Sequence, residues 1–379
     1  MDISIIIVSY NVRHYLRQCL DSVFASIRQS GLSAEVLVVD NNSTDNSVGY
    51  IRANFQSDKY PMLHIIANRC NVGFGRANNQ ALRKASGKYI LYLNPDTIVT
   101  EHTLRDCYDF AESKGNVGAI GVRMLSATGS FSLESRRGLP TPWVAFCKMS
   151  GLCHLFPKSK FFGKYYMRYL DAMQPAEIEI VSGAFMFCSR AALEKCGAFD
   201  EKFFMYGEDI DLSYRFLKEG FKNWYFPTPI LHYKGESTHK GSYKYVHTFY
   251  EAMLIFFQKH FPTASFALSL PVKSAILVQA CMALLKQQCQ SFMHYLHPSN
   301  DKLILKLSYH GHSTIPTELE DLAATWGIDI THENPDIIAF NAEQTDFATM
   351  LQILEDSKKQ IGTYYPSRQT LILPGGIYN

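Results

Sequence analysis

Ile3-Ser4-Ile5-Ile6-Ile7-Val8-Ser9-Tyr10-Asn11 is a β-branched apolar run that ends abruptly in polar residues. A strand buried on both faces reads this way, because neither face has to meet water. The same figure recurs downstream. Glu35 to Val39 is a second apolar run and ends in Asp40-Asn41-Asn42-Ser43-Thr44-Asp45. Leu63 to Ala67 leads into Asn68-Arg69-Cys70-Asn71-Val72-Gly73-Phe74-Gly75, and Tyr89 to Leu93 into Asn94-Pro95-Asp96. Between these runs, Arg13 to Ile27, Ser47 to Phe55 and Gly75 to Ala85 carry apolar residues at three- and four-residue spacing, the period of a helix. Strands alternating with helices predict an α/β fold with a largely parallel, Rossmann-like sheet. In such sheets ligands bind beyond the carboxyl ends of the strands. Four strands therefore deliver polar groups to one edge.

Further along, Thr103 to Lys114 reads as helix and Val117 to Met124 as strand. Residues 126–176 are aromatic and basic without clean periodicity, which predicts a long loop with short helices. Glu179 to Ser189 reads as strand, Ala191 to Cys196 and Glu208 to Glu219 as helices, and Asn223 to Phe226 as a strand closed by Pro227 and Pro229. Tyr245 to Phe261 is apolar at helical spacing. Ala264 to Leu285 is strongly apolar but is interrupted by Pro271, Lys273 and Gln279. A spanning helix, a helix lying on a membrane surface and a packed helix all remain open for it. After Pro298 a small α/β pattern restarts. The expected division is a domain over 1–262, an apolar helical connector over 263–299 and a small Rossmann-like unit over 300–379.

Length and composition agree with a globular protein of more than one unit. The chain has 379 residues, of which 47% are hydrophobic and 19% charged. With 37 Lys plus Arg against 35 Asp plus Glu, the net charge of +2 argues against a nucleic-acid binder. The nine cysteines include no Cys-x-x-Cys pair and are expected to be reduced, buried thiols. Met1 to Val8 starts acidic and is only a strand long, which predicts no secretory leader and a cytoplasmic location.

The chemistry-bearing residues follow from this layout. Asp40 and Asp96 each close a strand, where a lone Asp could simply cap a helix. Gly73 and Gly75 permit close backbone approach to a ligand or merely shape a turn. A dinucleotide fingerprint is excluded because Asn78 stands where its third glycine belongs. Glu208 and Asp209 open a helix whose dipole favours ionised carboxylates, so both are expected to be charged at pH 7. Asp211 is expected to cap or pair. Arg76 is either a diphosphate contact or a solvated helix cation.

These segments together resemble the family-2 glycosyltransferases of the GT-A fold, and most nearly the rhamnosyltransferase-like branch. The resemblance is carried by Ile5 to Asn11, Val38 to Asp45, Asn71 to Gly75 and Leu93 to Asp96. It continues through Phe199-Asp200-Glu201, Phe204-Met205-Tyr206-Gly207-Glu208-Asp209-Ile210-Asp211 and His232-Tyr233-Lys234-Gly235-Glu236-Ser237. It spans roughly residues 1 to 261.

The resemblance implies a GT-A mixed sheet and transfer of a sugar from a UDP- or dTDP-linked donor to an acceptor hydroxyl. The acceptor would be a glycan or lipid-linked glycan, in cell-surface polysaccharide or glycolipid synthesis at the inner face of the membrane. It implies that Ser9 and Asn11 line the nucleotide pocket and that Asp40 bonds the base or ribose. Asn71, Gly73 and Asn78 would surround the nucleotide and donor sugar. Asp96 would hold Mg²⁺ or Mn²⁺ with the diphosphate, with His232 as a second metal ligand. Asn94 replaces the first acid of the more familiar Asp-x-Asp. Asp209 would be the general base, with Glu208 the second candidate. A base opposite the leaving group implies inversion. Ser237, His239 and Lys240 would belong to a loop over the diphosphate.

The 300–379 unit resembles a shortened nucleotide-sugar-dehydratase-type fragment without a phosphate loop, expected to serve assembly or docking. Peripheral membrane contact and a homo-oligomer are further expectations. The alternatives are a catalytically silent nucleotide-sugar scaffold and a nucleotidyltransferase. The latter would want a basic Gly-rich loop after the first strand, where a helix follows instead.

Overall fold

The structure is a computed structural model that describes residues 1–233, 243–262, 305–311, 315–331, 333–374 and 376–378. The apolar connector predicted over 263–299, and Ser237, His239 and Lys240, lie outside the described residues.

The first half alternates as the spacing predicts. In chain order it runs β1 (Ile3–Ser9), α1 (Arg13–Ser30), β2 (Ala34–Asp40), α2 (Ser47–Asn54), β3 (Leu63–Ala67), α3 (Phe74–Leu82) and β4 (Tyr89–Leu93). Next come β5 (Thr97–Val99), α4 (Thr103–Lys114), β6 (Val117–Leu125), α5 (Pro142–Met149), α6 (Leu152–Leu155), β7 (Ala176–Ile178) and β8 (Phe185–Ser189). The unit ends with α7 (Arg190–Cys196), α8 (Glu208–Lys218), β9 (Lys222–His232) and α9 (Tyr243–His260). The sheet order is β3-β2-β1-β4-β8-β6-β9-β5, with β7 added beside β9. The strands from β3 to β4 are parallel; β8 runs antiparallel to both β4 and β6, so the sheet is mixed.

Every residue of β1 and β2 is buried. Side chains alternate across a strand, so Ile3, Ile5 and Ile7 enter one core with Leu16, Leu20 and Val23 of α1 and Leu104 of α4. Ile6 and Val8 enter the opposite core with Ala77 and Ala81 of α3 and Leu212 and Phe216 of α8. Two helix layers thus explain why these strands read as unbroken apolar runs.

Three strand expectations are corrected. Of the run predicted over Glu179 to Ser189 only Phe185–Ser189, β8, is strand, because the chain turns at Gly183-Ala184; β7 ends just before the run begins. The prolines do not close β9, which continues through Pro227 and Pro229 to His232. The register against β6 slips there, Val122 pairing with Phe226 but Arg123 with Pro229, so the missing proline N–H groups fall in an irregularity. Three residues, β5, escape a periodicity reading, and they pair with the end of β9.

The remaining elements are β10 (Lys306–His310), α10 (Thr317–Trp326), β11 (Asp329–Ile330), β12 (Ile337–Asn341), α11 (Phe347–Ser357), β13 (Gln360–Tyr365), β14 (Thr370–Leu373) and β15 (Gly376–Tyr378). They form a second sheet in the order β11-β10-β12-β13-β14-β15. α11 packs against the first unit, with Phe347, Met350, Leu351 and Leu354 in one cluster with Val12, Tyr15, Ile98, Leu231 and Tyr233.

Polar contacts lock this seam. The Glu101 carboxylate accepts from the N–H groups of Phe347 (2.7 Å) and Ala348 (3.0 Å) at the amino end of α11. Arg123 binds Glu355 through two bonds of 2.5 and 2.9 Å. The Arg123 side chain is only 9% exposed, so Glu355→Ala strands a largely desolvated guanidinium. A loss of about 1–3 kcal/mol is expected, read as a lower urea midpoint. An unchanged midpoint would mean that water already satisfies Arg123.

Candidate active site

The carboxyl edge of the parallel strands holds the site. Register sets Ser9 directly beside Asp40. Ser9 is fully buried, and its Oγ has no hydrogen-bond partner. Asp40 spends Oδ2 on the Ser43 N–H (3.0 Å), while its buried Oδ1 has no partner. An unsatisfied buried polar atom costs roughly 1–3 kcal/mol, so two abreast point to groups that a ligand satisfies. Asn11 sits at φ 55°, in the left-handed region that Asn tolerates, and accepts from Thr44 N–H at 2.7 Å. It ties the β1 and β2 ends together.

Asn41 organises the next loop. Its amide donates to Asn71 Oδ1 (2.9 Å) and its Oδ1 accepts from Asn68 Nδ2 and Val72 N, both at 3.1 Å. Asn71 in turn accepts from the Gly73 N–H at 3.0 Å. Gly73 has φ 90°, and a Cβ there would stand 2.8 Å from the Phe204 carbonyl. That carbonyl accepts from Phe74 N–H at 2.8 Å, so the start of α3 and the loop before α8 are stitched together. The Asn78 amide donates to Phe74 O (3.0 Å) within its own helix, and the residue is 1% exposed. Asn78 therefore braces α3 from within. Arg76 turns away to Glu201 at 3.0 Å on the exposed side of α3; it is the solvated helix cation, not a group at the sheet edge.

Asp96 and His232 meet by sheet register. β5 pairs antiparallel with β9, Thr97 opposite His232, and Tyr233 N–H donates to Asp96 O at 3.0 Å. His232 Nε2 consequently lies 3.4 Å from Asp96 Oδ1 and 3.4 Å from the Asn94 amide. Both Asp96 and His232 are largely buried. Among the described residues no cluster of three or more His, Cys, Asp or Glu is arranged to hold a metal. The pair is nonetheless a fitting donor set for Mg²⁺ or Mn²⁺, which take one or two protein ligands and complete their shell with phosphate oxygens and water.

The acids of α8 approach from the neighbouring strand. Asn94 N–H donates to Ala184 O at 2.9 Å, and Gly183 N–H donates to Asp209 Oδ2 at 3.0 Å. One tight turn thus joins the Asn94–Asp96 segment to Asp209. Gly183 gives room there, because Asp209 Cβ lies 3.3 Å from where a Cβ would stand. Arg137 donates to the same Oδ2 and to Val181 O (3.3 Å). Asp209 Oδ1 accepts only from its neighbour Ile210 N–H at 2.8 Å. Oδ2 is the anchored oxygen and Oδ1 the one with spare acceptor capacity.

The expectation that Glu208 is charged at pH 7 is corrected. Burial, and then the negative charge of Asp209, push its carboxyl up to about 8. The helix dipole is too weak to offset that desolvation. Its Oε2 is buried without a partner. Glu208 is therefore a neutral acid able to donate a hydrogen bond. A folded-state value above the unfolded one means that the native protein holds a proton that the unfolded chain has released. Stability falls as pH rises between about 4.5 and 8. Glu208→Gln is expected to remove that slope, measured as the difference in urea stability between variant and parent across the window. Parallel curves would return Glu208 to the ionised state.

Asp211 is structural, as expected. Burial raises its carboxyl, but His260 at 2.7 Å, Arg215 and Lys259 outweigh that and hold it at about 2.

Sequence reasoning missed Arg137, Asn41 and Gly183. Arg137 sits in the aperiodic stretch, 72 residues before the acid that it grips; no local pattern marks it.

Residues 4–197 match the family model described as glycosyl transferase family 2. The chain belongs to that family and is a glycosyltransferase, which sets aside the nucleotidyltransferase reading. It is 25% identical over 266 residues to N-acetylglucosaminyl-diphospho-decaprenol L-rhamnosyltransferase of Mycobacterium tuberculosis (strain CDC 1551 / Oshkosh), covering 66% of this chain and 82% of that protein. It is 29% identical over 222 residues to the low-salt glycan biosynthesis hexosyltransferase Agl10 of Haloferax volcanii, covering 58% and 62%. Among solved structures, it is similar to the mannosyltransferase PcManGT of Pyrobaculum calidifontis in complex with GDP-Man and Mn²⁺, with TM-score 0.48, 17% identity and coverage of 78% and 81%. S. aureus TarS 1-349 in complex with UDP-GlcNAc gives TM-score 0.47, 19% identity and coverage of 75% and 80%. With both scores under 0.5, the GT-A assignment rests on the strand order and on family membership. No helix among the described residues is long and apolar enough to cross a membrane.

Proposed function

We propose that the protein moves a sugar from a UDP- or dTDP-linked donor to a hydroxyl of a glycan or lipid-linked glycan in cell-surface glycan assembly, with inversion at the anomeric carbon. The observation that carries this reading is the pair of unsatisfied buried atoms, Ser9 Oγ and Asp40 Oδ1, side by side on the strand edge that also bears Asp96 and His232. A nucleoside supplies donors and acceptors for the first pair. A diphosphate suits the second through a divalent cation. The lipid-linked acceptor is supported by the decaprenol-linked substrate in the name of the mycobacterial relative.

In this reading Asp96 and His232 would hold Mg²⁺ or Mn²⁺, which would supply positive charge to offset that developing on the leaving diphosphate. Asn11, Asn71 and Gly73 shape the loops around the nucleotide, and Asn94 orients His232. Asn78 acts indirectly, by keeping α3 rigid. Asp209 is the base. The acceptor oxygen forms a bond to the anomeric carbon as the bond from that carbon to the diphosphate oxygen breaks. The acceptor proton passes to Asp209 Oδ1, and the diphosphate leaves with the electron pair. Arg137 and Gly183 fix the other oxygen, so Oδ1 is aimed without a search of rotamers. Neutral Glu208 offers a hydrogen bond to a sugar hydroxyl instead of competing for the proton.

A thermal-shift panel of nucleoside diphosphates and their sugars, with and without Mg²⁺ or Mn²⁺, tests this. A ligand at 100 times its Kd adds about 2.7 kcal/mol of stability. A shift with uridine or deoxythymidine diphosphates is expected. No shift with any member of the panel would overturn the reading.

A further inference from the structure

Residues 138–170 carry five cations, Lys148, Lys158, Lys160, Lys164 and Arg168, and no carboxylate, in a chain whose net charge is only +2. The same stretch is where the surface turns apolar. Six of the eleven exposed large hydrophobic side chains among the described residues fall between 143 and 161. α5 turns Val144 and Cys147 inward and leaves Trp143 and Phe146 outside, so it is apolar on both faces. Such a helix on a surface lacks a covering partner.

The exposed rings form one cluster. Trp143 lies 5.7 Å from Phe146 and 4.9 Å from Phe161, centroid to centroid, and its indole N–H donates to Phe161 O at 3.2 Å. At the end of α6, Leu155 is 72% exposed, and the next residue, Phe156, is 50% exposed. Lys158, Lys160 and Arg168 stand exposed beside them, while Lys164 is spent on Glu179 at 2.8 Å. Exposed aromatic and long apolar side chains in one stretch with exposed cations are complementary to an anionic bilayer surface, which takes the rings at headgroup depth and the cations at its phosphates.

We infer that α5, α6 and the turn to Phe161 dock the protein on an anionic lipid bilayer, with Trp143, Phe146, Phe156 and Phe161 inserted at the interface. The location suits the site. Arg137, which grips Asp209, precedes α5 by only a few residues, and Gly138 N–H donates to Tyr165 O at 3.0 Å. The docked face thereby delivers the Asp209 side of the site to the bilayer, where the hydroxyl of a lipid-linked acceptor lies. That last step rests on the proposed acceptor; the docking itself does not.

Vesicle co-sedimentation of the full chain tests the docking without donor or acceptor. The parent is expected to sediment with vesicles of equimolar phosphatidylcholine and phosphatidylglycerol, to stay in solution with phosphatidylcholine alone, and to be released by salt. Trp143→Ser with Phe161→Ser is expected to lower partitioning at least about tenfold, and Lys158→Glu with Lys160→Glu by a similar factor. All four positions are exposed, and an unchanged melting temperature confirms the fold of each variant. Equal sedimentation of parent and variants would place binding elsewhere, as in 264–285, and would overturn the inference. So would a parent that ignores anionic vesicles, or one that instead dimerises through the patch, seen as a doubled mass in analytical ultracentrifugation that the Trp143/Phe161 variant lacks. Loss of vesicle binding with nucleotide shifts intact, or the reverse, separates failure of this inference from failure of the proposed transfer reaction.

Discussion

Asp209→Asn is expected to lower kcat for sugar transfer by about 10²–10⁴-fold, the range of a lost general base. The donor Kd should stay near the parent value, because the proposed nucleotide pocket at Ser9 and Asp40 does not include this side chain. The substitution keeps the shape of the carboxylate. Its amide can still meet the Gly183 N–H and the Arg137 guanidinium through its oxygen. It cannot take the acceptor proton at the other position. A buried charge pair loses one partner, so some stability is also lost. Melting temperature and nucleotide-induced shifts separate that loss from the chemical one. Transfer at the parent rate by a folded Asp209→Asn would remove Asp209 as base and turn attention to Glu208.

Asp96→Asn is the second large effect. It leaves His232 and a neutral amide where the proposed cation site has a carboxylate. Mg²⁺ and Mn²⁺ prefer anionic oxygen, and even outer-shell changes at metal sites cost about 10–100-fold in affinity. The concentration of Mn²⁺ giving half-maximal transfer should therefore rise by at least about 100-fold. Thermal stabilisation by a nucleoside without phosphates should persist, because Ser9 and Asp40 are untouched. That contrast distinguishes a metal ligand from a residue that merely supports β5. An unchanged metal titration would exclude Asp96 from the metal site. Loss of both responses would mark a collapsed strand edge.

Much of the transferase half was legible in order of sequence. β1, β2 and β4 are short apolar runs bounded by polar residues, and burial on both sheet faces makes them unambiguous, while β3 is a half-exposed edge strand. Their ends, Ser9, Asp40, Asn71, Gly73 and Asp96, could be nominated because strand ends of a parallel sheet point one way. β9 was cut short, because proline is a local signal against strand and the register slip that tolerates it is a property of β6 as well. The resemblance places Asn78 near the nucleotide, and the sequence leaves Arg76 open between a diphosphate contact and a solvated helix cation. Which way each side chain turned was decided by contacts with Phe74 and with Glu201, 125 residues away.

By itself, the sequence determined the alternation of strands and helices, the edge where chemistry gathers and the acids that stand there, because those depend on local periodicity and chain order. Only the tertiary structure decided how the acids are used. The protonation of Glu208 depends on burial and on the neighbouring Asp209 charge, and helix-start position alone predicted the opposite. The orientation of Asp209 depends on Arg137 and Gly183, brought from two other segments. The Asp96–His232 pair depends on antiparallel register between β5 and β9, more than 130 residues apart. Desolvation and long-range pairing are sums over neighbours in space, and the linear chain records which neighbours exist without saying which will meet.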